Sequence, residues 1–194
     1  MLGKGELLEM IAGKNRGVLA SETDNLAILA AVARLEDRNP TPRPLESPDL
    51  DGDWRLLYTT SEELLGIDRV PLLKLGQIYQ CIRVADRRVF NIAEVTGLPF
   101  LEGLVSVAAR FEAVSDRRVN VRFERAVFGL QRLVDYQSAS QFVEKLALDR
   151  RLLAIDFSIQ NRDQRGWLEV TYLDADLRIG RGNQGSVFVL TKAR

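Results

Sequence analysis

Histidine occurs nowhere in these 194 residues, and cysteine occurs once. The first absence removes the commonest general base, the usual imidazole metal ligand and every Ser-His or Cys-His catalytic pair. A single cysteine, Cys81, excludes an intrachain disulfide and any cysteine-based metal cluster. It lies in the apolar stretch Ile78-Tyr79-Gln80-Cys81-Ile82 and reads as a buried small residue rather than a nucleophile. An excess of one charge is missing too: 27 Lys and Arg balance 27 Asp and Glu, so nothing global points to nucleic acid or to an acidic substrate. No run approaches the roughly 20 apolar residues that span a bilayer. Met1 to Gly13 lack an apolar core segment and carry Glu6 and Glu9, against a secretory signal or a transit peptide. These absences predict a chain that is neither secreted nor transmembrane, uses no metal, and either works in the cytoplasm where it is made or is a processed form. Hydrolysis would have to run on carboxylates alone, so the expectation is a protein that is not an enzyme.

What is present suits one domain with a sizeable core, at 46% hydrophobic and 28% charged residues. Arginine outnumbers lysine 22 to 5, through overall composition or through sites that need planar donors. Residues 1–39 read as a helical segment. Leu7, Leu8 and Ile11 make a short apolar face ended by Gly13. A second helix starts at Ser21 as N-cap with Asp24 three residues on, and carries Leu26, Leu29, Val32, Ala33 and Leu35 at helical spacing. Asn39-Pro40 stops it, and Pro40, Pro42, Pro44 and Pro48 stiffen a connector over 40–49.

Over 50–194 the apolar period changes from 3.6 to 2. Trp54, Leu56 and Tyr58 alternate, as do Val105 to Ala113, Val119 to Phe123, Leu153 to Ile159 and Leu168 to Tyr172. Ile78 to Val84, Val89 to Val95 and Ser186 to Leu190 complete about eight short strands. A short helix is expected over Ser138 to Leu148. One-sided alternation with turn signals every ~8–12 residues indicates an antiparallel barrel or sandwich. The fold expected is therefore α+β, mainly β: two N-terminal helices, then an antiparallel barrel of about eight strands. Alternation alone nominates Leu56, Tyr58, Ile92, Phe111, Val121, Phe123, Phe157 and Tyr172 for the interior, as ligand contacts or simply as core.

Two local patterns carry no chemistry on inspection. Gly180-Arg-Gly-Asn-Gln-Gly185 fits G-x-G-x-x-G, yet a β-like run follows where a dinucleotide site needs a helix, so the glycines indicate a hairpin or bulge that needs positive φ. Asp174, Asp176, Asp51 and Asp53 sit at strand-turn junctions, where Asp is ordinary. A third pattern stays open. Asp86-Arg-Arg-Val89, Asp116-Arg-Arg-Val119 and Asp149-Arg-Arg-Leu152 each open a strand. Either these are solubilised turns, or Arg87, Arg88, Arg117 and Arg118 form a basic rim that meets anionic headgroups or a protein partner.

Gly52-Asp-Trp54 resembles the G-x-W that opens the first strand of lipocalin-type barrels, where the indole closes the floor beneath an arginine from a late strand. Arg178 and Arg181 are the candidates here. The resemblance becomes specific in two longer motifs. Leu50-Asp-Gly-Asp-Trp-Arg-Leu-Leu-Tyr-Thr-Thr60 looks like the opening L-x-G-x-W-x-L-x-Y-T of the plastid lipid-associated protein (PAP, or fibrillin) family. Thr171 to Leu190 is similar to its closing Y-L-D-x-D-L-R-I-x-R-G-x-x-G-S-x-F-V-L. The likeness spans roughly residues 45–191 and implies a cyanobacterial-type member, or a mature plastid form. It implies a lipocalin-like barrel that binds or sequesters an isoprenoid, quinone or carotenoid at the thylakoid or in lipid globules, with a structural or photoprotective role. No cofactor and no catalytic residue come with it; a hydrophobic small molecule is the expected occupant. The alternative is a packed barrel that serves as a scaffold for a protein partner, for example an isoprenoid-biosynthesis enzyme. A carboxylate-based isomerase or hydrolase is a third reading.

Overall fold

The computed structural model describes residues 3–65, 74–96, 102–148, 152–159 and 165–193. Helix α1 (Lys4–Ile11) turns Leu7 and Ile11 inward. Helix α2 (Glu22–Glu36) opens on a complete capping box: the Ser21 hydroxyl accepts the Asp24 N–H, and the Asp24 carboxylate accepts the Ser21 N–H. Its buried face is Ile28, Ala31, Val32 and Leu35, so the stripe is rotated from the one expected and Leu26 lies in solvent. The proline-rich connector forms two short 3-10 turns, Pro44–Glu46 and Pro48–Leu50. It is tied to the sheet by hydrogen bonds from the Leu45 N–H to the Asp116 carbonyl and from the Thr41 hydroxyl to the Leu173 carbonyl.

Nine strands follow among the described residues: β1 (Gly52–Thr59), β2 (Lys74–Arg83), β3 (Arg88–Thr96), β4 (Gly103–Ala113), β5 (Arg118–Leu130), β6 (Ile155–Ser158), β7 (Arg165–Leu173), β8 (Leu177–Gly182) and β9 (Val187–Lys192). A single helical turn, α3 (Glu62–Leu65), follows β1, and α4 (Ala139–Ala147) follows β5. Every pairing between strands is antiparallel. The order β1-β2-β3-β4-β5-β7-β8-β9 returns to β1, so eight strands close into a ring. Closure rests on the long strand β5. It pairs with β4 along its length, gives residues 118–122 to β7, and gives residues 125–128 to the short β6 outside the ring. The chain is thus mainly β and barrel-like, with two helices in front, as the alternation and the family resemblance predict.

The strand that alternation misses is β8. Its inward positions are Arg178, Gly180 and Gly182, which lack the apolar signature, and the two glycines are there for lack of space. A Cβ on Gly180 would sit 3.2 Å from the Glu169 carbonyl, and one on Gly182 would sit 3.1 Å from the Phe188 ring. Of the three glycines only Gly185, in the turn Asn183–Gly185, has positive φ, so the positive-φ reading holds for that one alone.

Helices cover the ring on two sides. Tyr58, Tyr172, Ile179 and Val189 leave the outer face of β1, β7, β8 and β9 to pack on α1 and α2. Phe90, Ile92, Leu104 and Val127 leave the outer face of β2 to β5 to meet Phe142, Val143 and Leu146 of α4. Three interior assignments from alternation are corrected by this arrangement. Tyr58 and Tyr172 point outward because the register shifts between Leu56 and Tyr58 and between Val170 and Tyr172, and each bulge reverses the faces. Ile92 points outward because α4 makes the outside of β3 as apolar as its inside, which removes the contrast that alternation reads.

Candidate functional site

The inner faces of the strands enclose a cavity of about 890 Å³. One end is shut by sequence-local devices. Gly52 adopts φ 124°, a backbone turn open to glycine, and starts β1. Trp54 follows and is fully buried, its indole N–H donating to the Leu50 carbonyl at 3.0 Å. Leu45 and Leu50 of the connector pack beside it. The Arg178 guanidinium lies 5.1 Å from the centre of the indole ring, and the Lys192 ammonium also lies 5.1 Å away. Arg181, the other late arginine, takes no part: it makes a two-toothed ion pair with Glu36 at 2.8 and 2.7 Å and fastens β8 to α2.

Of the interior candidates, Phe111, Val121, Phe123 and Phe157 line the cavity, and Leu56 is buried in the core beside it. Phe157 is 48% exposed and stacks on Phe128 at 6.1 Å, so this pair stands where the cavity meets the surface. The polar part of the wall escaped alternation. Gln80 and Asn91 line the cavity among apolar neighbours, and the Gln80 amide donates to the Asn91 side-chain oxygen at 2.9 Å. The Gln80 carbonyl oxygen in turn accepts from Arg178 Nη2 across the ring. A polar residue between inward apolar ones, such as Asn91 between Val89 and Ala93, was the available signal.

Arg178 is 1% exposed, and its Nε and Nη1 have no hydrogen-bond partner. Burial pulls its guanidinium down to about 9, which still leaves it charged at neutral pH. Among the described residues it is the one charged side chain on the cavity wall. Cys81 lies outside the ring against α4, and burial, with Asp53 nearby, pushes its thiol up, so it stays protonated. Among the described residues no three acids or cysteines gather into a metal-binding group.

The turns that carry the arginine pairs fall at the connector end. The Phe111 N–H donates to the Arg87 carbonyl at 2.9 Å, which brings Arg87 and Arg88 beside the β4–β5 turn. Arg117 donates to the Pro42 carbonyl, and Arg118 lies 4.0 Å over the Trp167 ring. Arg150 and Arg151 lie outside the described residues.

A closed antiparallel ring around a largely apolar cavity, floored by a tryptophan beneath a late arginine, defines a barrel-like fold with an internal cavity. The PAP_fibrillin family model matches residues 1–191, and the chain belongs to that family. It is 35% identical to "Probable plastid-lipid-associated protein 2, chloroplastic" of Arabidopsis thaliana, an alignment covering 97% of this chain and 70% of the relative. It is 33% identical to "Chromoplast-specific carotenoid-associated protein, chromoplastic" of Cucumis sativus, covering 97% and 67%. With "Light-induced protein, chloroplastic" of Solanum tuberosum it shares 33%, covering 97% and 66%, so the chain spans about two thirds of that relative's length. No solved structure matches. Among the described residues no helix is long and apolar enough to cross a membrane.

Proposed function

We propose that this protein holds one apolar lipid or pigment of the isoprenoid, quinone or carotenoid class inside the ring and does not turn it over. The observation that carries the reading is the cavity: about 890 Å³, walled mostly by aliphatic and aromatic side chains. Binding sites for small apolar molecules typically measure ~300–1,000 Å³ with few polar groups. Names of relatives such as the cucumber carotenoid-associated protein support a lipid or pigment cargo, and their chloroplastic and chromoplastic designations support a plastid-type setting. A scaffold with a solidly packed barrel is the weaker reading, because its premise is a filled interior.

The test uses Nile red, a neutral apolar fluorophore, with decyl-plastoquinone as competitor. Native protein should enhance the dye's emission and the quinone should reverse it. Val121→Trp, which pushes an indole into the cavity, should abolish both effects while circular dichroism stays native. Dye binding unchanged by Val121→Trp would place the apolar site elsewhere and defeat the reading.

A further inference from the structure

The cavity wall holds a charge without a counter-charge. Arg178 lines the cavity and is buried, two of its N–H-bearing nitrogens have no acceptor, and no carboxylate pairs with it among the described residues. Its one hydrogen bond goes to the neutral amide of Gln80. Contact with the Trp54 ring stabilises a cation only partly, because a ring quadrupole attracts it more weakly than a full counter-charge does. Burying an unpaired charge costs several kcal/mol, and such a group persists where something else compensates it. Elsewhere the chain follows the ordinary rule. The partly buried Arg125 pairs with Asp156 at 2.6 Å, and Arg83 pairs with Asp53 at 2.9 Å.

Given that the cavity binds an apolar molecule, we propose that within that range its preferred occupant is an isoprenoid-type chain ending in a carboxylate, which neutral quinones and carotenes lack, and that Arg178 and Gln80 bind that head at the Trp54 end while the chain runs toward Phe128 and Phe157. The charge count selects the class. One guanidinium, with no second cation on the wall among the described residues, matches a monoanion; a diphosphate would bring excess negative charge into a low-dielectric site. A planar guanidinium also offers parallel donors that fit the two oxygens of a carboxylate. The Gln80–Asn91 hydrogen bond holds the amide whose oxygen faces Arg178.

The experiment compares oleate, methyl oleate and oleyl alcohol as competitors of Nile red on the full chain. In the native protein oleate should bind at least tenfold tighter than its methyl ester, at concentrations below micelle formation. Arg178→Met should remove that preference, so that oleate and its ester bind alike. Gln80→Leu should reduce the preference while leaving Arg178 in place, which guards against an Arg178→Met protein that does not fold. The native-protein comparison needs no variant at all. Equal binding of oleate and ester by the native protein overturns the carboxylate assignment while leaving apolar binding intact. Failure of all three ligands to displace the dye, where decyl-plastoquinone still displaces it, overturns the carboxylate assignment alone; failure of the quinone as well overturns the cavity reading too.

Discussion

Replacing Trp54 by alanine tests whether the floor of the ring holds the fold together. The indole is fully buried, donates to the Leu50 carbonyl at 3.0 Å, and has the Arg178 and Lys192 cations each 5.1 Å from its centre. Removing a buried aromatic costs about 3–5 kcal/mol through lost transfer energy and the cavity left behind. Here the Leu50 carbonyl also loses its partner, worth about 1 kcal/mol, and two cations lose the ring face. The expected loss is therefore in the upper part of that range, about 4–5 kcal/mol, against a total stability of about 5–15 kcal/mol for a folded domain. With a urea slope of about 2 kcal/mol per molar, the midpoint should fall by about 2 M. Trp54→Phe keeps a ring but loses the N–H, and should cost about 1–2 kcal/mol. Far-UV circular dichroism in urea reads both variants without relying on tryptophan emission. A Trp54→Ala midpoint within about 1 M of native would refute the account of the floor.

Acid should release the N-terminal helices. Burial opposes ionisation of Asp174, but hydrogen bonds from Lys4, the Asp176 N–H and the Tyr172 hydroxyl outweigh it and hold the carboxyl far below the usual range. Asp24 is held at about 2 by Lys14 and Ser21. Both folded-state values lie below the unfolded ones, so the stabilisation is full above about pH 4 and drains as pH falls from there toward 2. Asp174→Asn should lower the melting temperature at pH 7 and flatten its decline below pH 4; an unchanged acid slope would exclude Asp174 as a source. The arginine rim gives a third prediction. Lys or Arg near an anionic surface contributes about 1 kcal/mol each, and Arg117 and Arg118 already have partners within the chain, so Arg87→Glu with Arg88→Glu should carry most of any loss. Cosedimentation with phosphatidylglycerol vesicles reads this, and equal losses from the Arg117 and Arg118 reversals would show that those contacts do not hold them.

The parts of the fold legible in the sequence are those where one physical signal dominates. Ser21 and Asp24 announce the start of α2 because a capping box is local. Val119, Val121 and Phe123 announce β5 because one side of that stretch meets the cavity and the other meets water. Where two signals compete, the reading fails. Tyr58 and Tyr172 kept their apolar rhythm through bulges that turned them outward, and a bulge leaves no mark in residue type. Ile92 was misplaced because α4, more than 40 residues away in sequence, buries the other face of its strand. Strand β8 was hidden by its glycines, whose role depends on the neighbouring carbonyl and ring. Arg178 was visible as a partner for Trp54, but its missing counter-charge is a property of the assembled wall.

Native mass spectrometry with lipid extraction, on protein purified from its own source, tests the central claim most directly. The cavity account predicts a species heavier than the bare chain by the mass of one apolar molecule. That molecule should be recovered in the organic extract, and Val121→Trp protein from the same source should lack it. Bare chain with nothing in the extract, or the same lipid retained by Val121→Trp, would contradict it.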